Sequence, residues 1–510
     1  MTQPKISVRM YRALGIQGSP YKGYLGDCFL IRVESEQSDP AHILIDFGIL
    51  MGSAQAEERM RQVAIDIVKM TGGQWDDQGK IAQQGKLDLL IITHEHWDHL
   101  SGFSQAQDIF FNGLIIDKLW MAWTEDDNDD FANQLRQERD KRSVALAAVA
   151  EMIQKGAREA ESSPLAADSQ IVLAGLDAFL GPLVSKDTPA ILDDGLAARA
   201  VKPRQLKTRE IIDKLKAKAK SKIFLSPGQV MTAPGEMKTF VLGPPRNLAR
   251  LKKDKPSTNE AWFSNQALEE RLFRLADDVP SETDNDLPFA PRYNRLRAEL
   301  VRHPGGASAG SDWSTLLWLT EHYFAPTSAE GADLSRRTID SDWLEAAGQL
   351  ALKLDADTNN TSLVLAFELP DGTFMLFPGD AQVGNWDSWH DQSYRDSDKD
   401  ISATYILERV RFYKVSHHGS DNATIKDKGL SLMTHPELVA AIPTDEAFGK
   451  QQGVKGWKMP DPRLNEAILA ATKGRVFRND DPVNTCYSNF ENPPSSCDLY
   501  LEYTVFKPAE

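Results

Sequence analysis

Cysteine is nearly absent: 510 residues carry three, Cys28, Cys486 and Cys497. None sits in a Cys-x-x-Cys spacing, which excludes a disulfide framework and a thiolate zinc site. Cys486 and Cys497 could pair, but a reduced compartment is the simpler expectation. Long apolar runs are missing as well. No stretch approaches the roughly 18 residues of a membrane span. The segment Met1-Thr-Gln-Pro-Lys-Ile-Ser-Val8 lacks the apolar core of a secretory signal. The expectation is a soluble, cytoplasmic protein with no membrane partner. Positive charge is in deficit: 58 Lys and Arg against 74 Asp and Glu give a formal net charge of -16. That balance argues against a protein that coats nucleic acid with its whole surface, while leaving room for a local basic track. No internal repeat or low-complexity tail is present. The 41% of apolar residues supplies ample core material, and the length allows about two to four domains.

Histidine is sparse and unevenly spread. Three of the ten fall in His94-Glu-His-Trp-Asp-His99. The preceding Leu87-Asp-Leu-Leu-Ile-Ile-Thr93 is a short apolar run that reads as a buried strand feeding a loop. His94 and His96 are two apart, so on extended backbone they point to one side. Asp98 and His99 then come from the turn or helix start that follows. Imidazoles with a carboxylate are a ligand set for zinc or a similar transition metal. Two His followed by an Asp-His pair can serve two adjacent metals. A solvated loop is the plain alternative, and the apolar strand ahead of the cluster argues against it. The spacing also differs from the His-Glu-x-x-His of zinc proteases, whose histidines share one helix face.

The first third reads as β-structure leading into α/β units. Ile6 to Tyr11 alternates, and residues 27–33 and 41–46 are apolar strands. Asp46-Phe-Gly48 follows, with Gly48 permitting a backbone turn next to the carboxylate. Helical spacing covers 54–70, and 114–123 is another strand. The chain then changes character. Glu125 to Asp130 is acidic, 131–156 reads as a long helix, and 199–222 and 246–255 are basic runs flanking the strand 238–243. Charge runs are usually solvated helix faces. These two, with Lys214, Lys218, Arg250 and Lys252, are nevertheless the best polyanion contacts the chain offers. Loop clusters mark 279–292 and 304–311, and Trp313 to Phe324 looks packed. Strands return at 361–368 and 373–378, joined by an Asp371-Gly hairpin signal. A further strand at 411–416, a short amphipathic helix at 462–473 and a last strand at 475–478 complete the pattern.

Two further elements can complete a metal centre. Gly379-Asp380 puts a carboxylate at a strand end, where it can bridge two cations. His417-His418-Gly419-Ser420 follows the strand 411–416. Adjacent residues on extended backbone face opposite sides, so at most one of the two histidines is expected as a ligand, and the other could face substrate or support the ligands from behind. His417 continues the strand most directly and is slightly favoured, with the choice left open.

In order, Asp27-Cys-Phe-Leu-Ile, Ile45-Asp46-Phe-Gly48, Thr93-His-Glu-His-Trp-Asp-His99, Asn359-Asn-Thr-Ser-Leu-Val364, Phe377-Pro-Gly-Asp380 and Lys414-Val-Ser-His-His-Gly-Ser420 resemble the metallo-β-lactamase fold. Within it they resemble the branch containing the metallo-hydrolase domain of ComEC-type DNA-uptake proteins. The resemblance covers roughly 1–123, 222–245 and 355–480. It implies an α/β fold, an αββα sandwich with two largely helical insertions. The core's N-terminal half is then 1–123, the insertions 124–221 and 246–354, the core strands between them 222–245, and the C-terminal half 355–510. It implies that His94, His96 and Asp380 hold one divalent metal ion, and that Asp98, His99, Asp380 and one of His417 and His418 hold a second. Asp46 would orient the histidine loop from behind. Only His303 and His322 lie between the hexapeptide and Gly379-Asp380, and neither ends a recognisable strand, so neither is assigned as a ligand. Where the branch tends to show His-Pro, this chain has Met459-Pro-Asp-Pro462.

Ligands without thiolate suit zinc or manganese best. Two such cations acidify a water toward a pKa of about 7 and neutralise charge on the transition state. Asp98 and His418 are the candidates closest to that chemistry, with Ser420 donating to the histidine that is not a ligand. The expected activity is a metal-dependent hydrolase, foremost a phosphodiesterase or nuclease acting on nucleic acid or a nucleotide. The alternatives are a small ester, lactone or phosphoester hydrolase, or a subunit of a defence or DNA-processing complex that docks a protein partner through its insertions.

Overall fold

The computed structural model describes residues 3–14, 25–141, 207–253, 356–396, 399–452 and 456–508. Two sheets build the fold. The first has eight strands in the spatial order Ser495–Ser496, Tyr500–Phe506, Lys5–Tyr11, Phe29–Ser35, Ser38–Ile45, Gly85–Ile91, Leu114–Ala122 and Ser221–Leu225. The second has seven, ordered Val476–Arg478, Val439–Ile442, Val410–Lys414, Phe374–Phe377, Val364–Glu368, Met237–Gly243 and Val230–Ala233.

Period-two alternation decides what each strand faces. Ile6, Val8, Phe29, Ile31, Ile43, Ile45, Leu89 and Ile91 point inward and meet Leu365, Phe367, Phe377 and Phe412 of the second sheet in one buried core. Leu30, Leu44 and Leu90, the alternate residues, face the other way. They pack under the helices Ala56–Met70, Trp97–Gln105, Gln107–Gly113 and Thr208–Lys218. The outer face of the second sheet is covered in the same way by Val383–Trp389, Ala403–Leu407 and Pro462–Ala471. Helix, sheet, sheet, helix is the expected αββα sandwich.

Several expectations need amendment. Among the strands that escaped the sequence reading are Val439–Ile442 and Tyr500–Phe506. The latter, not 475–478, is the last long strand, and it pairs antiparallel with Lys5–Tyr11. Its alternation, Leu501, Tyr503 and Val505 inward, is visible once sought. The end of the first insertion belongs to the core, because Ile211, Ile212 and Leu215 of Thr208–Lys218 are buried against the first sheet. The helix expected at 131–156 runs from residue 130 to 141, and its remainder lies outside the described residues. So do the loops at 279–292 and 304–311, the stretch Trp313 to Phe324, His303 and His322. Among the described residues, no helix is long and apolar enough to cross a membrane, and all three cysteines are free.

Candidate metal centre

The strands Ser38–Ile45, Gly85–Ile91, Phe374–Phe377 and Val410–Lys414 all end at one edge of the sandwich, and the loops that follow carry the site. The two sheets are joined there by Leu363 N–H donating to Thr93 O at 2.8 Å. Asp46 follows its strand with φ 54°, so the left-handed turn falls on Asp46 itself rather than on Gly48. Gly48 is required for close approach instead: a Cβ there would lie 2.3 Å from the backbone of Asp98. Gly379 combines both reasons, with φ 57° and a notional Cβ 2.9 Å from Thr93 Cβ.

The buried Asp46 carboxylate organises the histidine loop. It accepts from Thr93 N at 2.8 Å and from Thr93 Oγ1 at 2.6 Å, and it takes His99 Nδ1 at 2.7 Å. With Nδ1 committed, His99 presents Nε2 to Asp380 Oδ2 at 3.0 Å. This carboxylate–histidine relay is how metal-binding imidazoles are oriented. His418 Nδ1 donates to Pro443 O at 2.7 Å, and its Nε2 faces Asp98 Oδ2 at 2.9 Å and Asp380 Oδ2 at 3.5 Å. Among the described residues one group is placed to hold a metal ion: Asp27, His99, Asp380 and His418, all buried, with ligand atoms within 4.8 Å of one another.

Asp98 lies directly beside this group, bonded to His418. His94 and His96 adjoin it but turn to each other, His94 Nε2 lying 2.9 Å from His96 Nδ1, and the ring of His94 sits 4.2 Å from that of His99. The alternation argument for the two later histidines does not apply. The strand ends at Lys414, and His417 and His418 both lie in the left-handed region, φ 41° and 53°. The turn sends His418 into the cluster. His417, which strand continuation slightly favoured, goes among neutral polar groups. Its Nδ1 meets Ser420 Oγ at 2.6 Å and Gln382 Nε2 at 3.2 Å, and its Nε2 meets Asn359 Nδ2 at 3.3 Å.

Two members of the site were not singled out from the sequence. Asp27 shares the inward parity of Phe29, and Lys414 that of Phe412, so both point between the sheets at the edge. Lys414 is buried and its ammonium donates to Gly379 O at 2.8 Å, to Asp380 Oδ1 at 3.1 Å and to Asp27 Oδ2. A lysine on an inward strand position was the available signal.

The electrostatics are those of a crowded anionic site. Burial pushes Asp27 up, offset in part by Lys414. Burial also opposes ionisation of Asp380 and Asp98. The cations outweigh it, chiefly His99 and Lys414 for Asp380, which lies well below the carboxylate range, and His99 and His418 for Asp98, held to about 2. His99 and His418 are desolvated yet raised, because Asp380 and its neighbouring carboxylates favour the imidazolium. His96 and His417 fall to about 4, and His94 falls well below the ordinary histidine value, all led by burial. Asp27 Oδ1 and Asp98 Oδ1 are buried and accept no hydrogen bond. Orphaned carboxylate oxygens beside imidazoles fit a cation.

Residues 24–189 match the model of the metallo-beta-lactamase superfamily, a span that includes the whole histidine loop and the strands before and after it. The fold is a metallo-β-lactamase domain. No curated protein matches the chain. That superfamily consists largely of metal-dependent hydrolases, and the His/Asp cluster of this domain is a site that could hold the metal.

The expected polyanion contacts lie apart from the cluster and are largely occupied. Arg250 pairs with Asp387 and Asp391 at 3.0 Å each, and Lys252 with Glu138 at 3.5 Å. Lys214 reaches Gln107 Oε1 at 3.3 Å and lies over Phe111. Lys218 ends the same helix, Thr208–Lys218. The basic run at 246–253 is faced by carboxylates of adjoining segments, Asp129, Glu138, Asp387 and Asp391. Its continuation to 255, and residues 199–206 of the earlier run, lie outside the described residues.

Proposed function

We propose that this protein is a metal-dependent phosphodiesterase of the ComEC-like branch, with nucleic acid as the first substrate to test. The observation that carries the reading is the polar surround of His417 beside the carboxylate–histidine cluster. Asn359, Gln382, Ser420 and Asn422 all lie within hydrogen-bond reach of that ring. Neutral donors next to an anionic metal site suit the non-bridging oxygens of a phosphate. A lactone or thioester site would be lined by apolar side chains.

Asp27, His99, Asp380 and His418 would hold one divalent ion, zinc or manganese. Asp98, with His94 and His96, would complete a dinuclear site. Such ions supply Lewis-acid activation of a water and neutralise charge at phosphorus. The protein's own groups do the rest. Asp46 fixes the tautomer of His99. Lys414 lies between Asp27 and Asp380, pairing with both and opposing the upward push of burial on Asp27. His417, lowered to about 4, is an uncharged imidazole at neutral pH, so it steadies a phosphate oxygen by hydrogen bonding rather than serving as a ready acid. Asp98 is ionised and placed to receive the proton of the attacking water.

The test incubates the purified protein with Mn²⁺ or Zn²⁺ and single- and double-stranded DNA and RNA, a model phosphodiester, and a set of lactones and thioesters. A His96→Ala/Asp98→Ala variant serves as control. Phosphodiester cleavage that is lost in the control supports the reading. Turnover of esters alone replaces it with a small-molecule hydrolase.

A further inference from the structure

Glu95 stands between His94 and His96, and nothing in the chemistry above uses it. On extended backbone the residue between two inward side chains points outward. Here it points at both ends of the first insertion. Arg139, on the helix that runs to residue 141, pairs through Nη2 with Glu95 Oε2. Thr208, the first residue of Thr208–Lys218, donates through Oγ1 to Glu95 Oε1 at 3.1 Å. Each carboxylate oxygen is thus held from a different side of the segment between 141 and 207.

A second buried glutamate backs the first. Glu125 takes Arg209 Nη1 at 3.1 Å, the other arm of Arg209 takes Asp127 Oδ1 at 2.9 Å, and Lys216 Nζ meets Asp127 Oδ2 at 3.0 Å. Arg136 ties the same helix down by donating to Thr124 O and, at 2.8 Å, to Asp126 O. This is not a solvated surface pair. The side chains of Arg139, Glu95 and Glu125 are 18%, 9% and 4% exposed. In such surroundings a charge pair fixes geometry, since either partner alone would be left desolvated.

We propose that Glu95 is a positioning residue. Clamped by Arg139 and Thr208, it holds the loop that carries His94 and His96 against the metal-binding cluster and makes the ends of the first insertion part of the metal site. The inference rests on the metal-binding reading.

The test measures Mn²⁺ and Zn²⁺ dissociation constants of the full-length protein by competition with a chelating dye. The variants are Arg139→Met, Arg139→Lys, Glu95→Gln and Arg246→Met. Arg246 is the control: it pairs with Asp129 and stacks on Trp123, anchoring the start of the same helix without touching Glu95. Residues that orient metal ligands from behind are worth about 10- to 100-fold in affinity. Arg139→Met is therefore expected to weaken binding by about 10-fold or more, Arg139→Lys to recover most of it, and Arg246→Met to stay within about twofold. Wild-type affinity in a folded Arg139→Met variant overturns the proposal, and so does an equal loss in Arg246→Met. If Arg139→Met does not fold, Glu95→Gln decides: it keeps the shape and loses the charge, and unchanged affinity there overturns the proposal. Failure of the wild type to bind metal would sink the metal reading instead, so the two failures are distinguishable.

Discussion

Replacing Lys414 with methionine removes a buried lysine from the site while nearly preserving its volume. The ammonium makes hydrogen bonds to Gly379 O and Asp380 Oδ1 and a close pair with Asp27, all buried. Without it, Asp27 and Asp380 face each other across a desolvated gap, with only the imidazoles to oppose their charge. Removing one partner of a buried ion pair costs about 3–5 kcal/mol, because the remaining charge is stranded. At about 1 °C per kcal/mol for a chain of 510 residues, Tm of the metal-free protein should fall by roughly 3–5 °C. A divalent cation supplies new positive charge to the same carboxylates, so the stabilisation gained on adding Mn²⁺ or Zn²⁺ should be larger in Lys414→Met than in wild type. Asp27→Asn removes the stranded charge, so the double variant should recover part of the loss. Calorimetry of the four proteins of this cycle, each with and without metal, reads all three effects. A metal-free Lys414→Met protein that melts with wild type would refute the reasoning. So would a loss that is just as large in the Asp27→Asn background.

Three further outcomes follow from the same geometry. His418→Ala should lower metal affinity by at least about 10-fold, whereas His417→Ala should retain the metal and, having lost one hydrogen bond to the phosphate, fall about 10²-fold in turnover; metal content by mass spectrometry beside steady-state rates separates the two, and equal metal loss in both would undo the assignment. Asp46→Ala frees His99 and Thr93 together, and about 10- to 100-fold weaker metal binding is expected, with unchanged affinity counting against the relay. Because His99 and His418 are raised above the ordinary value of 6.5, metal uptake near pH 7 should expel protons. The heat of binding should then vary with the ionisation enthalpy of the buffer, and affinity should rise with pH. In the metal-free protein, the stabilisation from these two imidazolium pairs is full below pH about 6.5 and is lost as pH climbs through their raised values. A buffer-independent heat would contradict this.

Much of the fold was legible because its signals are local. Phe29–Ser35, Ser38–Ile45 and Gly85–Ile91 alternate or run apolar and end in marked turns, and Asp371-Gly372 sits in the hairpin its dipeptide announces, with φ 79° at Gly372. Tyr500–Phe506 was missed because its partner, Lys5–Tyr11, lies at the other end of the chain. Thr208–Lys218 was read for its lysines. Its buried Ile211, Ile212 and Leu215 place it in the core instead. For Arg250 and Lys252, charge composition revealed how many cations there are but not which carboxylates face them.

The sequence by itself determined the chemistry on offer: imidazoles and carboxylates at the ends of apolar strands, with no thiolate, on an α/β sandwich. Spacing of one or two residues carries that information, since strand parity and turn chemistry are properties of neighbours in the chain. Only the tertiary structure decided which of these groups meet. It brought the ring of His418, and not that of His417, to Asp98 and Asp380 through a left-handed turn that strand parity does not foresee. It brought Asp27 and Lys414, 387 positions apart in the numbering (414 − 27), into one buried pair. It also turned Glu95 outward onto both ends of an insertion. Each of these is a contact between segments distant in sequence, set by how two sheets close on each other rather than by what any one segment prefers.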